Sequence, residues 1–255
     1  MATGPQQKRK ELREKRLKAE AQAKGGDRRE NLMKIVGAAA FVAIVGIIIA
    51  IVVVSSGGGD DSSEGGTSGG IEQLAGIPQN GATLGDPDAK VTLVEFGDLQ
   101  CPICKQYAEE ILPDVIQGPI KAGKANFEFR NWAVLGEDST LAAKANLAAA
   151  EQDLSWSFLE TFYANQGLEN TGYVTDDFLT DIAEKAGIQD IDKWNVDREK
   201  ASLENELLAV DGEATKQGFT GTPSFATKDA KGKLTPIDDT QSSQALIDAI
   251  NEAAK

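Results

Sequence analysis

The chain contains no histidine and only two cysteines in 255 residues. A zinc site normally draws on four Cys or His ligands, so these absences exclude a Cys/His zinc site within one chain and leave only a site shared between copies. No cysteine lies near the end of the most apolar run, which excludes an N-terminal lipoprotein anchor. Basic residues are outnumbered: 26 Lys and Arg stand against 40 Asp and Glu, a net charge of −14. Such acidity favours solubility and argues against a nucleic-acid surface.

Residues 35–54, Ile35 to Val54, carry neither charge nor proline. At helical rise this stretch spans about 30 Å, the thickness of a bilayer core, and predicts a transmembrane helix. The preceding residues 1–34 hold eleven Lys or Arg against five Asp or Glu, while the remainder holds 15 basic and 35 acidic residues. Positive charge stays on the cytoplasmic side, so the N-terminus is expected in the cytoplasm and everything after residue 54 outside it. A cleaved signal peptide is the competing reading, although its apolar region usually runs about 7–15 residues. Residues 55–70 are Ser, Gly, Asp and Glu with one Thr, a composition that cannot bury a core and predicts a flexible tether. A folded domain is expected over residues 71–255, long enough for a sizeable core.

The two cysteines stand together as Cys101-Pro102-Ile103-Cys104, directly after the apolar run Val91 to Phe96. That run reads as a buried strand, and Pro102 suits the first position of a helix. Cys101 is then expected at a helix N-terminus, where free backbone N–H groups and the dipole stabilise the nucleophilic thiolate. A purely structural disulfide remains an alternative, but so short a loop constrains the unfolded chain very little. Redox chemistry is the leading reading.

Further along, the CxxC helix is expected to reach about Gln117 with a bend at Pro113, and Ala125 to Trp132 reads as a second strand. A helical block follows over about 138–217, including a helix capped by Thr175 and ending at Gly187, and another from Asp197 to Gln217. Thr222 to Ile237 reads as a hairpin and Gln244 to Ala254 as a closing helix. None of these later helices concentrates catalytic residue types. The order of elements fits an α/β sheet with helices on both faces.

Three features together resemble the DsbA-like thiol–disulfide oxidoreductases of the thioredoxin fold, in their membrane-anchored form. They are the strand Val91–Phe96 running through Gly97-Asp98-Leu99-Gln100 into Cys101–Cys104, the helical block, and Gly221-Thr222-Pro223 opening the hairpin. The resemblance spans roughly residues 78–254. It implies a thioredoxin fold with an inserted helical subdomain, preceded here by one transmembrane helix. It also implies that Cys101 exchanges with the substrate sulfur, that Cys104 resolves the mixed disulfide, and that buried Glu95 relays the proton. Left as an ordinary strand residue, Glu95 would instead face solvent. Pro223 is expected to be cis and beside the cysteines, with an ordinary trans turn proline as the alternative. Thr222, Pro102 and Ile103 are expected at the substrate. Phe127, Phe219 and Trp132 could line a groove, but aromatics at strand positions are usually core.

One departure stands out: the strongly oxidising members have histidine before the second cysteine, and here Ile103 occupies that place. Isoleucine offers no hydrogen bond or charge to the thiolate, so stabilisation is expected from the helix N-terminus and backbone alone, with a less oxidising pair as the result. The functions implied are an extracytoplasmic oxidase that forms disulfides in exported proteins, a reductase or isomerase supplied through the membrane, or a non-catalytic thioredoxin-fold binding module. No cofactor is expected beyond the Cys101–Cys104 disulfide. Implied partners are reduced or unfolded exported proteins and a membrane redox protein of the DsbB or vitamin K epoxide reductase-like type.

Overall fold

The computed structural model describes residues 69–255. The expected cytoplasmic segment 1–34, transmembrane helix 35–54 and nearly all of the expected tether lie outside the described residues. Within them, no helix is long and apolar enough to cross a membrane. Folded structure begins slightly before the expected boundary at 71, with the short helix α1 over Gly69–Gln73.

Six strands form one sheet in the order β1-β2-β4-β3-β5-β6. The central strand β3, Thr92–Gly97, is buried along its whole length, which explains its nearly continuous apolar sequence. It pairs in parallel with β4, Asn126–Asn131, and antiparallel with β5, Ser224–Lys228. β6, Leu234–Pro236, completes the expected hairpin. On the far side lies a hairpin that sequence reasoning missed, β1 (Gln79–Asn80) and β2 (Thr83–Leu84), whose two-residue strands are too short to show alternation.

The crossover from β3 to β4 runs through α2, Pro102–Glu110. The predicted single helix is interrupted at Ile111, after which α3 covers Leu112–Val115 and a π-helical turn covers Ile116–Ile120. The break falls before Pro113, whose ring restricts the residue preceding it and is tolerated in the first turn of α3.

The helical block comprises α4 (Glu137–Ala150), α5 (Ser155–Ala164), α6 (Asp176–Lys185), α7 (Ile191–Asp197) and α8 (Ser202–Gln217). Thr175 caps α6 as expected, accepting the Phe178 N–H at 3.2 Å. The helix expected over Asp197–Gln217 starts later, at Ser202, and ends at Gln217 as expected; Asp197 instead ends α7, which lies before it. Asp190 caps the missed α7 by accepting the Lys193 N–H, and buried Trp194 anchors it through an indole bond to the Ala145 carbonyl. The final helix α9 covers Ser243–Ala253.

The sheet separates two apolar compartments, and β3 supplies both by strand alternation. Leu93 joins the main core with residues of α2, α4, α5, α6 and α9; Val94 and Phe96 join a smaller cluster with Trp132 and Ala214. Phe127 and Trp132 are buried in these clusters and Phe219 packs against the second, so all three act in packing.

Candidate active site

β3 delivers the chain into the turn Asp98-Leu99-Gln100, and the Cys101 N–H bonds to the Asp98 carbonyl at 3.0 Å. Cys101 is the N-cap of α2, with extended backbone angles and Pro102 in the first turn. Its thiol therefore sits where backbone N–H groups lack helical partners. Both cysteines are free thiols; Cys101 is nearly buried and Cys104 wholly so. Pro102 and Ile103 face solvent, Ile103 at 49% exposure.

The register of β5 on β3 sets Ser224 opposite Phe96, which carries the preceding Thr222 and Pro223 to the end of β3 where the cysteine turn begins. The Thr222–Pro223 bond is cis. The Cys101 thiol donates to the Thr222 carbonyl at 3.4 Å.

The two thiols are driven in opposite directions. A hydrogen bond from Cys104 lowers Cys101 to about 6 against the opposing cost of burial, assisted by the Thr222 side chain and by the backbone N–H groups of Cys104 and Ile103. Burial raises Cys104 well above an ordinary thiol, and the bond to Cys101 and the nearby Glu95 add to it. Sequence reasoning assigned the Cys101 stabilisation to the helix N-terminus and backbone alone; the largest share comes from the neighbouring thiol, and Thr222 contributes as well.

Glu95 is 1% exposed, and its Oε1 has no hydrogen-bond partner. Burial, then Glu160, then Cys101 raise its carboxyl well above the usual range. Room for that carboxyl depends on Gly97, where an added Cβ would lie 3.1 Å from Glu95 Oε1 and collide with the Phe129 ring at 2.4 Å.

Several residues that frame the site escaped sequence reasoning. The buried Asp98 carboxylate accepts the Gln100 N–H at 2.8 Å and the Val134 and Leu135 N–H groups at 2.8 and 3.1 Å, tying the cysteine turn to the exit of β4. From α5 and its end, Tyr163 donates to the Asp98 carbonyl at 3.4 Å, and Gln166 to the carbonyls of Leu99 at 2.6 Å and Cys101 at 3.2 Å. An acid inside an apolar turn beside a CxxC was a usable signal for Asp98. Nothing local marked Tyr163 or Gln166. Among the described residues, no group of three or more His, Cys, Asp or Glu is placed to hold a metal ion.

Comparison with known proteins assigns the family. A family model described as Thioredoxin matches residues 78–251. The chain belongs to the thioredoxin family. Within that family it is 32% identical over 145 residues to the probable disulfide bond formation protein D of Bacillus cereus, covering 56% of this chain and 67% of that protein. It is 31% identical over 153 residues to disulfide bond formation protein D of Bacillus subtilis, covering 57% and 67%. The oxidised crystal structure of BdbD from Bacillus subtilis superposes with a TM-score of 0.60 at 25% identity, covering 76% of this chain and 99% of that one. These likenesses make the thioredoxin-family chain a DsbA-like protein disulfide oxidoreductase, and the reading as a non-catalytic binding module is set aside.

Proposed function

We propose that the chain is a membrane-tethered, extracytoplasmic thiol–disulfide oxidoreductase that forms disulfides in exported proteins, with Cys101 as the exchanging cysteine and Cys104 as its resolving partner. The observation that carries this is the split within one helical turn: Cys101 is brought to about 6 while buried Cys104 is held as a thiol. A low-pKa thiol is the better leaving group, so it is readily expelled from a mixed disulfide.

In the oxidised enzyme, a substrate thiolate attacks Cys101 Sγ, the Cys101–Cys104 bond breaks, and Cys104 departs with the electron pair and takes a proton from Glu95. A second substrate thiolate then attacks the substrate sulfur of the mixed disulfide and expels Cys101 as a thiolate. The substrate dithiol loses two electrons and the active-site disulfide gains them. Thr222 and Pro223 hold the substrate backbone by strand addition, and Pro102 and Ile103 meet the substrate at the exposed helix start. The exchange needs no cofactor beyond the disulfide itself.

Reoxidation requires an electron acceptor, and a quinone-linked membrane protein of the DsbB or vitamin K epoxide reductase-like type fits that need. A membrane helix at 35–54 and a flexible tether would concentrate the domain beside such a partner. The relatives' names, disulfide bond formation proteins, support the oxidase direction.

Ile103 favours the second reading, a reductase or isomerase, because it withholds the charge that a histidine would supply. The reduction potential of the Cys101–Cys104 pair, equilibrated against glutathione, separates a reductase from a protein that forms or isomerises disulfides. A value between about −120 and −180 mV supports disulfide formation or isomerisation, and one near about −270 mV assigns a reductase.

A further inference from the structure

Glu160 is a buried acid that the proposed exchange leaves unused. It is 5% exposed, in a helix whose residues from Ser155 to Tyr163 are all buried. Its position relative to Glu95 follows from three packing relationships. Leu93 belongs to the main core and Val94 and Phe96 to the opposite cluster, so alternation turns Glu95 toward the main core, where α5 lies. Trp156 of α5 packs on Phe127 and Phe129 with ring centroids 4.6 and 6.4 Å apart, and Phe129 is the register partner of Glu95. Tyr163 reaches the Asp98 carbonyl in the cysteine turn. Residues 156, 160 and 163 form one row on the helix, which brackets Glu160 at the depth of Glu95.

The groups facing Glu160 leave it one polar outlet. Gln73 of α1 hydrogen-bonds its carboxyl, and Glu109 of α2, exposed and paired with Lys105 at 3.6 Å, lies toward the surface. Glu95 faces it from β3, with Cys101, Cys104 and Asp98 beyond. The faces that β2 and α6 turn to the same core are apolar, formed by Leu84, Leu179 and Ile182, and α4 adds Ala145, Ala149 and the uncharged Asn146, which accepts from Ser155 at the start of α5 at 3.2 Å. Burial followed by repulsion from Glu109 raises Glu160 to about 8, against the Gln73 bond, and Glu160 in turn raises Glu95. Two carboxyls in one apolar compartment ionise as a coupled pair.

Resting on the relay reading of Glu95, we infer that Glu160 is the second carboxyl of that relay, exchanging a proton between Glu95 and the surface beside Gln73 and Glu109. When Cys104 departs as a thiolate it takes the Glu95 proton, Glu160 returns one to Glu95, and solvent restores Glu160. Solvent has already received the proton lost when the substrate thiol ionised, so the count closes. Glu160 touches no reacting atom and acts by setting the protonation of Glu95.

The test follows closure of a mixed disulfide between Cys101 and a cysteine peptide across pH 5 to 10, in the full-length chain. Wild type is expected to show two coupled ionisations, and Glu160→Gln one, with closure slowed about tenfold where proton transfer limits it. Glu160→Asp restores the wild-type profile, whereas a merely structural role would leave it as defective as Gln. An unchanged Glu160→Gln profile beside an altered Glu95→Gln profile overturns the Glu160 inference and leaves the Glu95 relay standing. If Glu95→Gln is also unchanged, the relay itself falls. Infrared difference spectra of the unmodified chain give a readout that needs no variant: reduction is expected to perturb two protonated-carboxyl bands, and a single perturbed band overturns the inference.

Discussion

The Cys101 thiol donates to the carbonyl oxygen of Thr222, a residue 121 positions further along the chain, across 3.4 Å. This contact joins the N-cap of α2 to the start of β5, and it exists because both strands flanking the site pair with each other in one register. Cys101 is thereby held at the helix N-terminus with its sulfur facing the loop that is proposed to bind substrate.

The Cys104 hydrogen bond is the largest influence lowering Cys101. Replacing Cys104 with Ala removes it, and a hydrogen bond to a charged group, at about 1.5–3 kcal/mol, corresponds to roughly 1–2 pH units. Ultraviolet thiolate titration of Cys104→Ala is expected to show Cys101 rising from about 6 by that amount. An unshifted titration would assign the low value to the helix N-terminus and Thr222.

Ile103 is exposed and lies between the two cysteines. Ile103→His can place a charged donor beside the Cys101 thiolate, worth about 1–2 kcal/mol, or roughly 20–45 mV in a two-electron couple. Glutathione equilibration should report a more oxidising pair by that margin, with little change in thermal stability of the reduced form.

Stability should depend on pH through opposing groups. Glu160 is raised in the fold to about 8, so its contribution is full below its unfolded value and lost as pH rises through 8. Cys101 is lowered to about 6, so its contribution is present at high pH and lost as pH falls through 6. The Glu160 and Cys101 slopes oppose one another between about pH 6 and 8, and between about 4.5 and 6 the Glu160 loss acts together with that of Glu95, whose carboxyl burial also raises. Urea unfolding of the reduced chain should show Glu160→Gln flattening that loss by a few kcal/mol at most. A decline as steep as in wild type would contradict the assignment.

Gly97 leaves no room for a methyl group beside Phe129 and the Glu95 carboxyl. Gly97→Ala is expected to destabilise the chain by about 1–3 kcal/mol through overpacking. Because the same methyl crowds Glu95, the pH profile of mixed-disulfide closure should shift as well. A stability loss with an unmoved profile would separate packing from the relay.

Asp98 accepts three backbone N–H groups through its two carboxylate oxygens. In Asp98→Asn an amide NH₂ must replace one accepting oxygen, leaving a buried N–H group unpaired at a cost of about 1–3 kcal/mol. Thermal unfolding checks the loss. The amide oxygen keeps the two N–H groups of Val134 and Leu135, so hydrogen exchange should accelerate at Gln100 even where the fold survives.

Legibility varied along the chain for physical reasons. The strand Val91–Phe96, the helix start at Pro102 and the cap at Thr175 depend on local periodicity, a missing N–H and a side-chain acceptor, all visible within a few residues. The two-residue strands β1 and β2 are too short to carry a pattern. α7 was missed because its anchor is the buried Trp194 contact with α4, which local sequence does not contain. Pro113 marked a break that fell two residues earlier, at Ile111.

By itself, the sequence determined the redox pair, its strand-to-helix setting, the α/β order of elements and the place of the helical block, because these rest on composition, periodicity and short-range backbone chemistry. Only the tertiary structure decided which carboxyls lie buried together, which carbonyl the Cys101 thiol meets, and that Cys104 and Thr222 share in lowering it. Those properties depend on desolvation and on distances between residues far apart in the chain, and both are set only when the sheet register and the packing of α5 against β3 and β4 bring them together.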